Sequence, residues 1–269
     1  MNVKQRYDRL QNKLRWLQKY EVPAWLSLVQ YLGLSASSRS SALTQKSALI
    51  VAPHQDDETL GCGGLIALKR ERGIPVQVVF ITDGAASHAW HPKFKSGEIA
   101  PIRKQEALEA LAILGVEAAQ VHFLDQRDGK LKYTTEDDRQ QATHQLTEII
   151  RSFKPGEVYV THRHDRSADH EVTYTLTKRA IAQSGHTIDL LEYPIWILWK
   201  TLLFQNVKLS ELAGASRLAI HTVKDKKRQA LETYRSQYLP IEGSGGTVLP
   251  HGFLRRFFLP YEVFFRSDR

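Results

Sequence analysis

The sequence predicts an α/β fold in which a mostly parallel sheet lies between layers of helices. Short apolar segments rich in β-branched residues alternate along the chain with longer segments of helical periodicity. The predicted strands cover residues 48–52, 75–82, 121–124, 157–161, 188–193, 217–223 and 261–265. Helices are predicted at 65–72, 101–114, 135–153, 171–184 and 224–234. Because strands that alternate with helices pair in parallel, polar residues that follow different strands should meet along one edge of the sheet.

A basic amphipathic helix precedes this sheet. Residues 1–20 contain six lysine and arginine residues and one acid, Asp8. The apolar side chains recur at helical spacing, at Val3, Tyr7, Leu10, Leu14 and Leu17. Pro23 is expected to end this helix, and the serine-rich stretch 35–41 is expected to be a linker. We expect residues 1–44 to form a helical extension that packs on the protein's own core, with a peripheral membrane contact as the alternative.

Composition and charge narrow the class of protein. Of the 269 residues, 42% are hydrophobic and 25% are charged, which is ordinary for a globular protein. The single cysteine, Cys62, excludes an internal disulfide bond and fits a reducing compartment. The net charge of +8 favours anionic surfaces or substrates, although we predict no nucleic-acid partner. Because neither a secretory signal nor a membrane-spanning apolar run is visible, we expect a cytoplasmic protein.

The first predicted strand ends in a cluster of polar residues. His54, Asp56 and Asp57 follow it directly, and glycines in the stretch 61–64 allow the backbone to turn into the helix at 65–72. Open parallel sheets bind their ligands at such strand-to-helix corners. His54 and Asp57, three residues apart on a turn, can face one metal ion, while Asp56 stays free to accept a proton.

Two other interpretations of this corner stay open. The carboxylates of Asp56 and Asp57 could cap the helix, because the positive end of the helix dipole stabilises acidic groups. Leu60-Gly-Cys-Gly-Gly64 also looks like a nucleotide-binding glycine loop, for which Asp83 at the end of the next strand would bind the ribose. Such loops normally follow the strand directly, whereas seven residues, 53–59, intervene here. A metal site, for its part, needs a third ligand from elsewhere in the chain.

A second polar cluster follows the predicted strand at 157–161. It contains three histidines and two aspartates, namely His162, His164, Asp165, Asp169 and His170. In a parallel sheet this loop can reach the corner after the first strand. One His–Asp pair and a further histidine leave a coordination position open for water, which is the pattern of catalytic zinc sites.

The sequence Pro53-His-Gln-Asp-Asp-Glu58 resembles the His-Pro-Asp-Asp-Glu signature of the PIG-L-type N-acetylglucosaminyl deacetylases, also called the LmbE-like family. The similarity extends over about residues 48–240. It includes Gly61–Gly64, Thr82-Asp83-Gly84, Arg103, Glu106, Asp165–His170 and Ser236-Gln237. The resemblance implies a Rossmann-like three-layer fold for a deacetylase domain that we place at residues 45–269.

The resemblance also implies a reaction and roles for single residues. His54, Asp57 and His170 would bind zinc, Asp56 would be the general base, and Arg103 would contact the sugar. The reaction would be hydrolysis of an N-acetyl group from an amino sugar or glycoconjugate. Bound metal would polarise the amide and lower the pKa of its water towards ~7. Iron, manganese or cobalt could also fill a site of two histidines and one aspartate.

One departure from the family pattern concerns the transition state. Where the family has His-Pro-Asp-His, this chain has Ser167-Ala-Asp-His170, so the histidine credited with stabilising the oxyanion is a serine. Asp169, the usual partner of that histidine, remains. The Ser167 hydroxyl can donate one hydrogen bond to a substrate, and His164 or His251 could replace the missing histidine. We predict His164, because it lies nearer than His162 to His170 along the loop.

Two alternatives to the deacetylase follow. If Ser167 marks a lost activity, the protein binds a glycan or nucleotide without hydrolysing it. A glycine-loop methyltransferase is the third hypothesis.

Overall fold

The computed structural model describes residues 3–199, 214–241 and 246–267. Its strands are β1 (Arg39–Ser41), β2 (Ala48–Ala52), β3 (Val76–Thr82), β4 (Val121–Gln126), β5 (Glu157–Thr161), β6 (Asp189–Tyr193), β7 (Ser216–Ala219) and β8 (Tyr261–Arg266). They form one sheet in the order β1-β7-β8-β6-β5-β2-β3-β4. β8 is antiparallel to both neighbours and all other pairs are parallel, which confirms the predicted mostly parallel sheet.

Helices cover both faces of the sheet. They are α1 (Val3–Trp16), α2 (Val22–Ser37), α3 (Asp57–Glu71), α4 (Ala100–Leu114), α5 (Glu136–Phe153), α6 (Ala168–Ser184), α7 (Lys224–Leu231) and α8 (Arg235–Tyr238). Successive residues of β2 alternate between two cores: Ile50 packs with α3, α4 and α7, whereas Leu49 and Val51 pack with α5 and α6. This alternation, which follows from the two-residue repeat of a strand, gives the predicted three layers.

The order of the strands brings two distant loops together. β2 pairs in parallel with β3 on one side and with β5 on the other. The strands after β2 are therefore added first on one side of it and then, from β5 onward, on the other. In register, Val51 of β2 lies beside Val160 of β5, so both strands end at the same edge. A change of this kind in the order of the strands leaves a crevice at their carboxyl ends, which is where ligands bind in open α/β sheets.

The glycines after β2 lie inside a helix, which corrects the turn expected at 61–64 and the helix expected at 65–72. α3 begins at Asp57 and contains all three glycines. A Cβ on Gly61 would lie 2.2 Å from the ring of Tyr193, and one on Gly64 would lie 2.6 Å from Ile220. The glycines therefore let α3 pack closely against neighbouring side chains. This packing removes the basis for a glycine loop around a phosphate.

The N-terminal segment also differs from the expectation. The helix continues past Pro23, because a π-helical turn over Leu17–Glu21 joins α1 to α2 and places the proline in the first turn of α2. A proline inside a continuous helix removes one backbone hydrogen bond, and here the helix departs from regular α geometry in the π turn directly before it. The expected linker at 35–41 instead contains the end of α2 and the strand β1, which pairs with β7.

No helix in the described part of the chain has the length and apolar content needed to cross a membrane.

Candidate metal centre

The corner after β2 has an unusual backbone that separates its two aspartates. Asp56 has a φ of 139°, a conformation rarely adopted outside glycine, and Asp57 is the first residue of α3. Such strained residues cost roughly 1–3 kcal/mol and cluster at functional sites. Asp57 Oδ2 lies 3.2 Å from His54 Nδ1, whereas Asp56 Oδ1 lies 3.5 Å from the Arg103 guanidinium. The two neighbouring carboxylates therefore have different partners.

The corner after β5 contributes His170 from the first turn of α6. His170 is fully buried, and its Nδ1 lies 2.7 Å from Asp165 Oδ2. The Asp165 carboxylate also accepts backbone N–H groups of the segment 195–197, which fixes its position. A carboxylate acceptor favours the proton on Nδ1 and leaves the lone pair on Nε2. That Nε2 lies 3.3 Å from Asp57 Oδ2 and has no hydrogen-bond partner among the described residues.

His54, Asp57 and His170 can each direct one ligand atom to a common point. These three atoms lie within 4.8 Å of one another. A buried imidazole nitrogen without a partner, next to a second imidazole and a carboxylate, is the donor set of a divalent first-row metal. The residues present therefore fit a metal ion at this corner of the sheet.

Two further carboxylates hold His54 from its other side. His54 Nε2 lies 3.1 Å from Asp128 Oδ1 and 3.4 Å from Asp169 Oδ2. Asp169 also accepts the backbone N–H groups of Gly129 at 2.6 Å and Leu131 at 3.2 Å. Burial lowers the pKa of His54, but the carboxylates of Asp128, Asp169 and Asp57 outweigh burial and raise it well above the usual value.

Asp128 is a site residue that sequence reasoning missed. It lies in the turn after β4, two residues beyond the end of that strand. The only sign of Asp128 in the sequence is that a polar residue follows a predicted strand. Many polar residues of this chain do so, and the position alone therefore does not identify a site residue. His54, Asp128 and Asp169 form a second group of side chains that could hold a cation, and it shares His54 with the first group.

Asp56 has the environment of a proton acceptor. Burial and the neighbouring Asp57 carboxylate raise the pKa of Asp56 to about 8, against the opposing effect of Arg103. Arg103 is itself 3% exposed and donates to the carbonyl of Gln55 at 2.7 Å and to that of Gly84 at 3.3 Å. Arg103 therefore supports the corner as well as facing the cleft. A carboxyl group with a raised pKa beside a cleft is suited to proton transfer near neutral pH.

These side chains line a cleft of about 490 Å³, a volume typical of small-ligand sites. Its polar lining consists of His54, Asp56, Asp57, Ser87, Arg103, Asp128, Arg166, Ser167 and Gln237. Its apolar lining consists of Leu60, Ala86, Ile195, Trp196, Trp199, Val248 and Leu249. The cleft therefore combines a charged group of side chains with an apolar wall.

The structure does not bring every predicted residue to this cleft. Ser167 lines it, directly before α6. His164 is exposed and is absent from the lining, and its backbone N–H donates to Nδ1 of the buried His162. The structure thus assembles His54, Asp56, Asp57, Asp169 and His170 with Arg103 and Ser167, and leaves His164 outside.

Fold and site together define an α/β protein with a candidate metal centre at the carboxyl edge of a parallel sheet. The model of the PIG-L family, described as GlcNAc-PI de-N-acetylase, matches residues 49–181. A probable N-acetyl-alpha-D-glucosaminyl L-malate deacetylase 2 of Bacillus subtilis strain 168 is 32% identical over 192 residues, which cover 70% of this chain and 82% of that protein. The chain belongs to the PIG-L family.

Two other comparisons show the range of related proteins. The structure of N,N'-diacetylchitobiose deacetylase from Pyrococcus horikoshii has a TM-score of 0.56 and 24% identity, and covers 72% of this chain and 71% of that one. At this identity the likeness supports the fold alone. A 4-oxalmesaconate hydratase of Pseudomonas putida KT2440 is 30% identical over 156 residues, which cover 55% of this chain and 57% of that protein. The relatives therefore include a hydratase as well as deacetylases.

Proposed function

We propose that this protein is a metal-dependent hydrolase that removes an N-acetyl or related N-acyl group from an amino sugar or glycoconjugate. One observation supports this most directly. The ligand atoms of His54, Asp57 and His170 lie within 4.8 Å of one another, His54 and Asp57 line the cleft, and Asp56 lines it beside them without belonging to this set. The deacetylase names of several relatives support the same reaction class.

The proposed mechanism assigns a task to each side chain. His54, Asp57 and His170 would hold a divalent ion, zinc in our proposal, which would supply Lewis acidity to the amide carbonyl and lower the pKa of the attacking water. Asp56 accepts the proton of that water and returns it to the leaving amine nitrogen. Breaking the amide bond then yields a free amine and a carboxylate.

The surrounding residues position these groups. Asp165 holds His170 in one tautomer, and Asp169 with Asp128 orients the ring of His54. Arg103 faces the cleft from beside Asp56, where its charge suits a polar substrate group. The Ser167 hydroxyl is a candidate donor to the substrate, because it lines the same cleft.

The apolar wall indicates where the less polar part of a substrate would lie. Trp196 and Trp199 line the cleft together with Ile195. Aromatic side chains are apolar surfaces with a polar edge, which suits the mixed faces of a sugar or an attached apolar group. We place the N-acyl group beside Asp56 and the remainder of the glycoconjugate along this wall.

An amine-release assay tests the proposal. The purified chain would be loaded with zinc and offered a panel of N-acetylated amino sugars and glycoconjugates. We expect free amine to appear with at least one of them and to disappear after chelation. Asp56→Asn protein is the control for contaminating activity. Water addition to an unsaturated dicarboxylate, with no amine release across the panel, would instead support a hydratase.

A second candidate function follows from Ser167. If the serine in the place of the family's histidine abolishes turnover, the same cleft would bind glycans without hydrolysing them. This alternative predicts stoichiometric metal and measurable sugar binding in the absence of amine release. It also predicts that Ser167→His protein gains activity.

A further inference from the structure

The N-terminal helices expose a stripe of large apolar side chains. We refer to residues 3–37, which comprise α1, the π turn and α2, as the arm. The stripe consists of Tyr7, Leu10, Leu14, Val22, Trp25, Val29 and Leu32, which are 44–61% exposed. Within each helix these positions are three or four residues apart, so they share one face. Leu14 and Val22 are eight apart, and the extra residue of the π turn between them keeps both near that face.

The protein's own core does not cover this stripe. α2 packs on the domain through its opposite face, where Ala24, Ser27, Tyr31 and Leu34 are buried. None of the described side chains of α1 is buried. The expectation that the arm's apolar spacing serves core packing therefore holds for one face of α2 only. Exposed apolar surface of this extent, with polar residues beside it, marks an interaction site.

The charge around the stripe identifies the kind of partner. Five exposed cations lie between and beside the apolar positions of α1 and the π turn: Lys4, Arg9, Lys13, Arg15 and Lys19. In the described part of the chain no salt bridge engages them. Two copies of the arm packed together would juxtapose these like charges, which disfavours a dimer through this face. An anionic surface would neutralise them.

We propose that the arm binds the surface of a bilayer that contains anionic lipid. The stripe lies at the boundary between headgroups and acyl chains, and the lysine and arginine side chains contact anionic headgroups. Trp25 suits this boundary because indole has an apolar body and a polar N–H. This binding does not depend on the proposed hydrolase activity.

The structure also connects the arm to the cleft. The buried Arg256 donates to Ser27 Oγ of α2 at 2.8 Å and to the carbonyl of Ile195 in the cleft wall. These two hydrogen bonds join the buried face of α2, opposite the exposed stripe, to the wall of the cleft.

Vesicle sedimentation of the full chain tests this proposal. Vesicles of phosphatidylcholine with about 30 mol% phosphatidylglycerol should bind the chain, and phosphatidylcholine alone should bind it far less. Raising the salt concentration from about 0.05 M to about 0.5 M should weaken the binding. The double variant Leu10→Gln/Leu14→Gln should bind about tenfold or more weakly at unchanged charge. Asn12→Gln, on the opposite face of α1, is the matched control and should bind as the unaltered chain does.

Charge variants separate the two contributions. Lys13→Gln/Arg15→Gln should reduce binding to the anionic vesicles about tenfold or more, since each basic residue near a lipid surface is attracted by the anionic headgroups. Lys154→Gln/Lys178→Gln, with the same loss of charge on exposed residues far from the arm in the sequence, should have a smaller effect.

Three results would overturn the proposal. These are no binding to anionic vesicles, equal binding by the Leu10/Leu14 variant and its control, or a dimer in sedimentation velocity that the same variant dissociates. Amine release from a soluble substrate should be equal in all arm variants, so a failure of the membrane proposal stays distinct from a failure of the hydrolase proposal.

Discussion

The ends of β2 and β5 are both rich in polar residues, but they position them differently. After β2 only residues 53–56 precede α3, and His54, Asp56 and Asp57 all reach the cleft. After β5 the longer connection 162–167 precedes α6, and neither of its two histidines, His162 and His164, lines the cleft. A short connection between strand and helix leaves few conformations, so every polar residue in it is constrained. The longer loop allows neighbouring residues of the same type to have unrelated environments.

Of the polar residues that follow β5, those in the first turn of α6 differ from those in the loop before it. Asp169 and His170 belong to the first turn of the helix and therefore have fixed directions. His162 is buried against Phe265, with ring centroids 4.8 Å apart, and His164 is exposed. The comparison teaches that proximity to a strand end is a weak predictor of a site, whereas a place in the first helical turn is a better one.

The largest expected effect compares His170 with His162, which are both buried and follow the same strand. His170→Ala should remove most of the bound metal and all measurable amine release, because it deletes one of three proposed ligands. His162→Ala should keep stoichiometric metal. Metal content after dialysis checks both variants. Equal loss in the two would mean that the whole loop, and not His170 specifically, supports the site.

Asp56→Asn tests the difference between the adjacent aspartates at the β2 corner. The variant should keep its metal and lose ~10²–10⁴ in kcat, the usual effect of removing a general base. Turnover measured together with metal content on the same sample gives the answer. Loss of metal from this variant would instead make Asp56 a ligand.

Asp165→Asn tests how the β5 loop orients its ligand. The amide can no longer hold the Nδ1–H of His170 as a carboxylate does, so affinity for zinc should fall ~10–100-fold. Competition with a chelating dye measures this affinity. Asp137→Asn, an exposed aspartate of α5, is the control. An unchanged affinity in Asp165→Asn protein would restrict Asp165 to bracing the segment 195–197.

His162 should make stability depend on pH. Burial lowers the pKa of His162 to about 4, below its usual value of 6.5. Above pH 6.5 the residue is neutral in both the folded and the unfolded chain, and its stability contribution is fully present. As the pH falls from 6.5 towards 4, His162 becomes protonated in the unfolded chain but stays neutral in the folded chain. About 3 kcal/mol of the free energy of unfolding is therefore lost.

Urea unfolding at several pH values, with His162→Phe for comparison, measures this dependence. The difference between the two proteins should change across the window between pH 6.5 and 4. If the difference in free energy of unfolding between the two proteins did not change with pH, the lowered pKa of His162 would not be the cause of the pH dependence.

The smallest expected effect belongs to His164. Because its side chain is exposed outside the cleft, His164→Ala should change the free energy of unfolding by less than about 0.5 kcal/mol and leave turnover nearly unchanged. Ser167→Ala, a change within the cleft, should reduce turnover more. A loss of ~10²–10³ in His164→Ala protein would support the oxyanion role predicted from sequence and would require the loop to move when substrate binds.

The parallel sheet, most of the helices and the family were predictable from the sequence alone. These features depend on local patterns: β-branched runs, helical periodicity, and the spacing of His54 and Asp57 on one turn. The convergence of that corner with His170 was also predictable, since parallel strands end at a common edge. Local rules sufficed wherever the geometry was set by a few consecutive residues.

The remaining features depend on contacts between segments that are distant in the sequence. The glycines of α3 were mistaken for a turn because their reason is contact with Tyr193 and Ile220, which lie more than a hundred residues away. Contacts between distant segments also place Asp128 in the site and His164 outside it. Burial and side-chain direction depend on which distant segments pack together, and no local pattern in a single sequence records that packing.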